Sequence, residues 1–257
     1  MLPILFAISC GDPPTLTVEV DDIFGADLAD AQVKRDGVAE SWKTGADGTV
    51  AIPFEPGTLE LMVGKEGYIH EFVTVEIVVE GPGKGSPPPV KVALHHEAGE
   101  PGFYGIGPKG YSHLGAQPIN TVATEMSTWH GLEQHPEQSF VASKEGGLSF
   151  LFNSTLRAAE LKRQDLKLSR LEYKETAQVT GVLGETEVEL HLWVASDDIP
   201  YEIKGTQSQD DYLIAVPGGL ESGNYAFHAQ SILHSTEAEA LANLPKEMQV
   251  AFPFEVK

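Results

Sequence analysis

The segment Thr-Leu-Thr-Val-Glu-Val at residues 15–20 alternates between polar and apolar side chains at every position. In an extended chain, Leu16, Val18 and Val20 lie on one face, and the polar residues between them lie on the other. Alternation with a period of two residues is typical of an antiparallel strand that has one buried face. This stretch therefore predicts a fold built from β-strands.

The same period returns through the rest of the N-terminal third of the chain. Alternating apolar residues recur near residues 50–54, 59–63, 72–79 and 90–94. Glycine and aspartate between these stretches indicate tight turns, because both accept the backbone angles that such turns require. About five to seven short strands within about 80 residues predict a β-sandwich. The turn signals are residues 22–25, Asp36-Gly37, Asp47-Gly48, Pro56-Gly57 and residues 64–67.

Three motifs within this region resemble a known family. They are DIFGADLADAQV at residues 22–33, TGADG at 44–48 followed by FEPGT at 54–58, and VGKEGY at 63–68. Together they are similar to the carboxypeptidase regulatory-like (transthyretin-like) domain, and the resemblance covers residues 15–95. It implies a seven-stranded prealbumin-like sandwich, and it does not imply catalysis. Modules of this family serve as spacers, stabilisers or adhesive units on bacterial surfaces.

The first ten residues, MLPILFAISC, form a short apolar run that ends in small residues and the chain's single cysteine. Ala7, Ile8, Ser9 and Cys10 resemble a bacterial lipobox. The resemblance implies a signal peptide at residues 1–9 and a lipidated tether at residues 10–14. Several acyl chains, at about 0.8 kcal/mol per buried methylene, make a durable anchor. The expected location is therefore the bacterial cell envelope, facing the periplasm or the exterior, with the lipid on Cys10 in a membrane.

Two features of the N-terminus depart from a full lipoprotein signal. No lysine or arginine precedes the apolar run, and the run is very short. The alternative interpretation is an ordinary apolar N-terminal strand with Cys10 buried. A single cysteine also excludes a disulfide within the chain and a cysteine-rich zinc site.

The charge balance excludes one class of partner. The chain has 17 lysine and arginine residues against 38 aspartate and glutamate residues, for a net charge of −21. Binding to a phosphate backbone needs a basic face, so no nucleic-acid partner is expected.

Residues 96–102 read as a linker, and residues 103–257 read as a second β-rich domain for which no family resemblance is found. Alternation or compact apolar runs predict strands near residues 103–106, 119–126, 148–152, 188–194, 212–216, 224–229 and 249–256. The stretch 158–173 allows either a helix or a strand. Residues 235–244 predict a short helix that Pro245 ends. The predicted fold class is all-β, with two tandem sandwiches and at most one or two short helices in the second.

Four histidines of the second domain, at residues 130, 135, 228 and 234, are possible metal ligands by residue type. His130 and His135 lie in WHGLEQHP at residues 129–136, but the spacing of a metalloprotease helix is absent and a glycine interrupts the pair. They are weak candidates for a loop site. His228 and His234 are interpreted as surface residues. No nucleophile elbow is present, so no catalytic residue, resident metal or cofactor is predicted.

Two tryptophans are candidates for stacking against a ligand. Trp193 alternates opposite the face that carries Leu190 and Leu192, so it is either exposed or enclosed between two sheets. Trp129 precedes His130. Burial in a core is the alternative for both.

These patterns lead to one functional prediction and two alternatives. The prediction is a non-catalytic envelope lipoprotein whose first sandwich is a spacer and whose second sandwich recognises or assembles with a protein or glycan partner. One alternative is a metal-dependent hydrolase or metal-binding protein with its site in the second domain. The other is a carbohydrate-binding surface module that uses Trp129 or Trp193.

Overall fold

The structure is a computed structural model that describes residues 15–55, 57–77, 87–140, 148–156, 165–181 and 184–257. The predicted signal peptide, the residues Ala7, Ile8 and Ser9, and Cys10 with its tether lie outside the described residues. The chain divides into two compact units, and the second begins at Ala98. Among the described residues, no helix is long and apolar enough to cross a membrane.

The first unit contains seven described strands in two sheets. The smaller sheet has the order β4-β1-β7, and the larger sheet has the order β3-β2-β5-β6. This arrangement confirms the predicted seven-stranded sandwich. The strands are β1 (Thr15–Asp22), β2 (Gln32–Arg35), β3 (Ser41–Lys43), β4 (Thr49–Pro53), β5 (Gly57–Gly64), β6 (Glu71–Ile77) and β7 (Val90–Leu94).

The apolar positions that predict β1 are also the positions that are buried in the structure. Leu16, Val18 and Val20 are completely buried in the core of the first unit, while Thr15 and Thr17 are exposed. The turn before β4 requires glycine at residue 48, where φ is 67° and an added Cβ would lie 2.7 Å from the carbonyl oxygen of Val20. A side chain at this position would separate the turn from β1.

The second unit is also made of sheets. Five strands form a sheet in the order β17-β18-β14-β8-β9, and five more form a sheet in the order β10-β20-β19-β15-β16, to which β13 adds by pairing with β20. Strands β11 and β12 form a separate hairpin. The strands are β8 (Gly102–Gly107), β9 (Gly110–His113), β10 (Gln117–Pro118), β11 (Asn120–Ala123), β12 (Thr128–Gly131), β13 (Ser139–Phe140), β14 (Leu148–Asn153), β15 (Lys167–Gly181), β16 (Gly184–Asp198), β17 (Glu202–Gly205), β18 (Asp211–Val216), β19 (Gly223–His228) and β20 (Val250–Val256).

Aromatic side chains from both sheets fill the core of the second unit. Phe150 on β14 contacts Phe227 on β19 and Phe254 on β20, with ring centroids 4.9 Å and 5.1 Å apart. Phe103 on β8 stacks on Phe227 at 4.4 Å. Side chains from two facing sheets that share one core define a sandwich, so the prediction of a second β-sandwich is confirmed.

A second apolar cluster lies on the other face of the β19 sheet. Successive residues of a strand point to opposite faces, so Ala226 faces away from Tyr225 and Phe227. We call this group of buried residues the outer cluster: Ile119, Leu132, Leu171, Ala226, Ile232, Leu233 and Ala251. The β11–β12 hairpin and the chain after β19 therefore cover part of this sheet.

The predicted helix at residues 235–244 is wrong. The chain there makes turns, with hydrogen bonds such as Ala240 N to Glu237 O, and short 3-10 helices stand before and after it at Ile232–His234 and Lys246–Met248. Ala240, Leu241 and Leu244 pack against the outer cluster. These tertiary contacts outweigh the weak helical preference of the segment. The helical interpretation of 158–173 is also wrong from Lys167 onward, where β15 begins; residues 157–164 lie outside the described residues.

Candidate functional site

Trp193 is the centre of a row of three aromatic rings on the outer face of the β15–β16 pair. Tyr173 on β15 lies directly opposite Trp193 on β16, and their ring centroids are 5.3 Å apart. His135, which follows β12, packs edge-on against Trp193 at 5.2 Å. We call His135, Trp193 and Tyr173 the aromatic row.

The row is open to solvent at both ends. The side chain of Tyr173 is 50% exposed, and His135 is also exposed. The Tyr173 hydroxyl lies 3.2 Å from His191 Nδ1. A half-exposed tyrosine beside a half-buried tryptophan leaves a ring surface available to a ligand.

The fold holds Trp193 in place from two sides. Its backbone N–H donates to the carbonyl of Leu132 at 2.8 Å, and the N–H of Leu132 donates back to the Trp193 carbonyl at 2.9 Å. Trp193 packs against the outer cluster, which also takes in Leu171, two residues before Tyr173 on the same face. Gly131 permits the close approach, since an added Cβ would lie 2.6 Å from the Trp193 carbonyl oxygen.

The other predicted tryptophan does not belong to this row. Trp129 lies on β12 opposite Val122 and is half-buried. Of the two ligand-binding candidates, Trp193 is therefore the one that the structure places in the aromatic row.

The structure does not bring His130 and His135 into a metal site. His130 is buried, with Nδ1 2.8 Å from Thr121 Oγ1 and Nε2 3.0 Å from the Glu237 carbonyl oxygen. A carbonyl only accepts, so Nε2 donates to Glu237, and both ring nitrogens of His130 are engaged by the protein. Within the described part of the chain, no group of three or more histidine, cysteine, aspartate or glutamate side chains could hold a metal ion.

A polar cluster that the sequence interpretation missed lies on the same outer face of this sheet. Ser169 Oγ lies 2.9 Å from Asp198 Oδ1, 2.9 Å from His228 Nε2 and 3.3 Å from His234 Nε2. His234 Nε2 also lies 2.9 Å from Asp198 Oδ1. The surface assignment of His228 is wrong, because its side chain is only 1% exposed.

The hydroxyl of Ser169 fixes the protons of this cluster. It has one hydrogen, which it donates to the Asp198 carboxylate. It therefore accepts from His228, so Nε2 of His228 carries the proton and Nδ1 carries a lone pair. Within the described residues, His228 Nδ1 makes no hydrogen bond of good geometry, while backbone groups of Gln230 and Ala229 act on the ring and oppose the lowering of its pKa.

Burial sets the charge of the cluster. Desolvation, together with the nearby His234, lowers the pKa of His228 to about 4, so this ring is neutral at pH 7. Partial burial alone would raise the pKa of Asp198. The hydrogen bond from Ser169, the neighbouring His234 and the charge of Lys167 outweigh burial and lower it.

This arrangement differs from a serine nucleophile in two respects. In a catalytic triad the carboxylate orients the second nitrogen of the histidine, whereas Asp198 bonds to the serine itself. Ser169 is also completely buried on β15. The cluster therefore satisfies buried polar groups, and it gives no support to acyl transfer at Ser169.

No protein family model matches the chain, and no curated protein matches it. Among solved structures, the chain is similar to a protein from Bacteroides uniformis ATCC 8492 named "putative carbohydrate binding protein". The two share 10% sequence identity over 84% of this chain and 88% of that chain, with a TM-score of 0.25. The resemblance of residues 15–95 to the carboxypeptidase regulatory-like family stays a prediction.

Proposed function

We propose that this protein is a non-catalytic recognition protein whose second sandwich binds a glycan on the aromatic row. The observation that carries the proposal is the contiguous set of three rings, of which Tyr173 is 50% exposed. The apolar C–H faces of sugar rings pack against aromatic faces, and the hydroxyls at the edges of a sugar need polar partners. The hydroxyl of Tyr173 and the imidazole of His191 offer such partners beside the rings.

The negative charge of the chain favours one class of glycan ligand over another. The net charge is −21, and Glu175 and Glu189 lie on the two strands that carry Tyr173 and Trp193. An acidic surface repels uronic acids and sulfated sugars. The proposed ligand is therefore a neutral glycan.

Replacing the exposed ring is expected to weaken glycan binding by about tenfold. Tyr173→Ala removes one stacking surface, and about 1.4 kcal/mol of lost interaction corresponds to that factor. Tyr173→Phe keeps the ring and is expected to retain most of the affinity. The measurement is an array of neutral glycans probed with the full chain, followed by calorimetric titration of the best ligand.

Phe72→Ala is the matched control, since Phe72 is a 58% exposed aromatic residue of the first unit. It should leave the affinity unchanged. A wild-type protein that binds no glycan on the array would contradict the proposal, as would full affinity in a His135→Ala/Tyr173→Ala double variant.

We also propose that the protein is held in the bacterial envelope by a lipid on Cys10, with the first sandwich as a spacer. The lipobox resemblance of Ala7, Ile8 and Ser9 supports this assignment. Labelled palmitate is expected to enter the wild-type protein expressed in a bacterium and not the Cys10→Ser variant. Identical membrane fractionation of the two proteins would contradict the anchor, and it would leave the glycan proposal untouched.

A further inference from the structure

Strand β16 contains an irregularity beside the aromatic row. At this place β16 has two residues, Leu190 and His191, opposite the single residue Glu175 of β15. Two residues of one strand opposite one residue of its partner form a β-bulge, and bulges next to binding sites redirect a side chain. His191 lies two residues before Trp193, so the bulge adjoins the central ring of the row.

The backbone of His191 is strained within this bulge. Its φ is 49°, in the left-handed region that is unfavourable for residues with a side chain. Four described residues other than glycine have a positive φ, and His191 is the one among them that lies within a strand. Strained backbone that persists in a folded protein is concentrated at functional sites, so the strain points to a function of the His191 side chain.

The imidazole of His191 and the hydroxyl of Tyr173 form a polar pair at the end of the aromatic row. Both side chains are exposed, and the hydroxyl lies 3.2 Å from Nδ1. If the hydroxyl donates to Nδ1, the Nε2–H remains a donor and the phenol oxygen remains an acceptor. If Nδ1–H donates to the phenol oxygen, the hydroxyl remains a donor and Nε2 remains an acceptor. In either tautomer the pair offers a ligand one donor and one acceptor side by side.

We propose that Tyr173 and His191 together recognise two adjacent free hydroxyls of a glycan unit that stacks on the aromatic row. The inference rests on the proposed function and gives it a specificity-determining residue, His191. A hydroxyl both donates and accepts, so two adjacent sugar hydroxyls match one donor and one acceptor of the protein. The ligand class is a neutral glycan whose interior units keep such a pair of hydroxyls.

Two neutral hexasaccharides of glucose differ in this feature. Cellohexaose is β-1,4-linked, so every interior unit keeps free hydroxyls at C2 and C3. Laminarihexaose is β-1,3-linked, so the oxygen at C3 belongs to the linkage and no interior unit has two free hydroxyls on adjacent carbons. We expect the full chain to bind cellohexaose about tenfold more tightly than laminarihexaose, because two hydrogen bonds are made only with the former. Calorimetric titration measures both affinities.

His191→Gly separates recognition of the hydroxyls from folding and from the different shapes of the two sugars. Glycine adopts a positive φ without strain, so the urea midpoint of the second unit is expected to be unchanged or higher. The affinity for cellohexaose is expected to fall about tenfold, to that for laminarihexaose. Asp30→Gly is the matched control, because Asp30 is an exposed residue of the first unit with a φ of 59°. It should leave both affinities unchanged.

Two conservative variants keep polar groups at the site. Asparagine also tolerates a positive φ, and its amide carries a donor and an acceptor, so His191→Asn is expected to keep a preference of about threefold for cellohexaose. Tyr173→Phe removes the hydroxyl and frees Nδ1 of His191. The imidazole then offers a donor and an acceptor by itself, so this variant is expected to keep the preference.

Equal affinity of the wild-type chain for the two hexasaccharides would overturn the inference, as would an undiminished preference in His191→Gly. A lower urea midpoint in His191→Gly would mean that His191 stabilises the hairpin, and it would overturn the role in specificity. A wild-type chain that binds another neutral glycan on the array but neither hexasaccharide would overturn the inference and leave the proposed function standing. A chain that binds no glycan at all would contradict the proposed function itself.

Discussion

Phe150→Ala is expected to lower the free energy of unfolding of the second unit by about 3–5 kcal/mol. Phe150 is completely buried, and its ring contacts Phe140, Phe227 and Phe254 from three different strands. Truncation to alanine removes the transfer free energy of the ring and leaves a cavity that rigid neighbouring rings cannot close. Urea denaturation followed by tryptophan fluorescence measures the effect.

The fluorescence signal must report on the second unit alone. Trp42→Phe removes the tryptophan of the first unit, so the signal then comes from Trp129 and Trp193. Ile203→Ala is the control in the same background, because Ile203 is 41% exposed on β17; its effect should be within about 0.5 kcal/mol. A loss below about 1 kcal/mol for Phe150→Ala would mean that the two sheets do not share an aromatic core.

Strands with one buried face were predictable from the sequence, because every second residue of such a strand faces the core and is apolar. In β1, Leu16, Val18 and Val20 are the buried positions that alternation indicates. β14 and β20 followed in the same way from compact apolar runs. Short strands such as β10 and β13 were missed. Each has only two residues, which is too few to show an alternating pattern, and each pairs with β20, which is distant in the sequence.

The aromatic row was only partly predictable. Trp193 was a candidate from its alternation with Leu192, but its neighbours come from other segments of the chain. Tyr173 lay in a stretch that allowed either helix or strand; its spacing of two residues from Leu171 was the signal for a shared strand face. His135 reaches Trp193 only because Leu132 pairs with β16, which no local pattern encodes.

The polar cluster could not be predicted from local sequence. Ser169, Asp198 and His228 come from three strands, and His234 comes from a 3-10 helix. Each of them alone resembles an ordinary surface residue. Their convergence depends on the register that pairs Ser169 with both Asp198 and Ala226, and a shift of one residue would move Ser169 to the opposite face.

Acidification from pH 6.5 to pH 4 is expected to cost the second unit about 3 kcal/mol of stability through His228 alone. The pKa of this histidine is about 4 in the folded protein against 6.5 for an exposed histidine. Between these values the unfolded chain binds a proton that the folded chain does not, so stability is complete above pH 6.5 and falls as the pH decreases toward 4. Each pKa unit corresponds to about 1.36 kcal/mol.

His228→Leu is the variant that tests this dependence. It removes the titrating group and the hydrogen bond to Ser169, so its stability at pH 7 is expected to be lower while its decline between pH 6.5 and 4 is shallower. The measurement is urea denaturation at half-unit pH intervals in the Trp42→Phe background. Asp198 acts in another window, because its pKa lies below the ordinary value of 3.8 and the stability it contributes is lost only under more acidic conditions. Parallel pH profiles for the wild-type and His228→Leu proteins between pH 6.5 and 4 would mean that burial does not lower the pKa of His228 in the folded state.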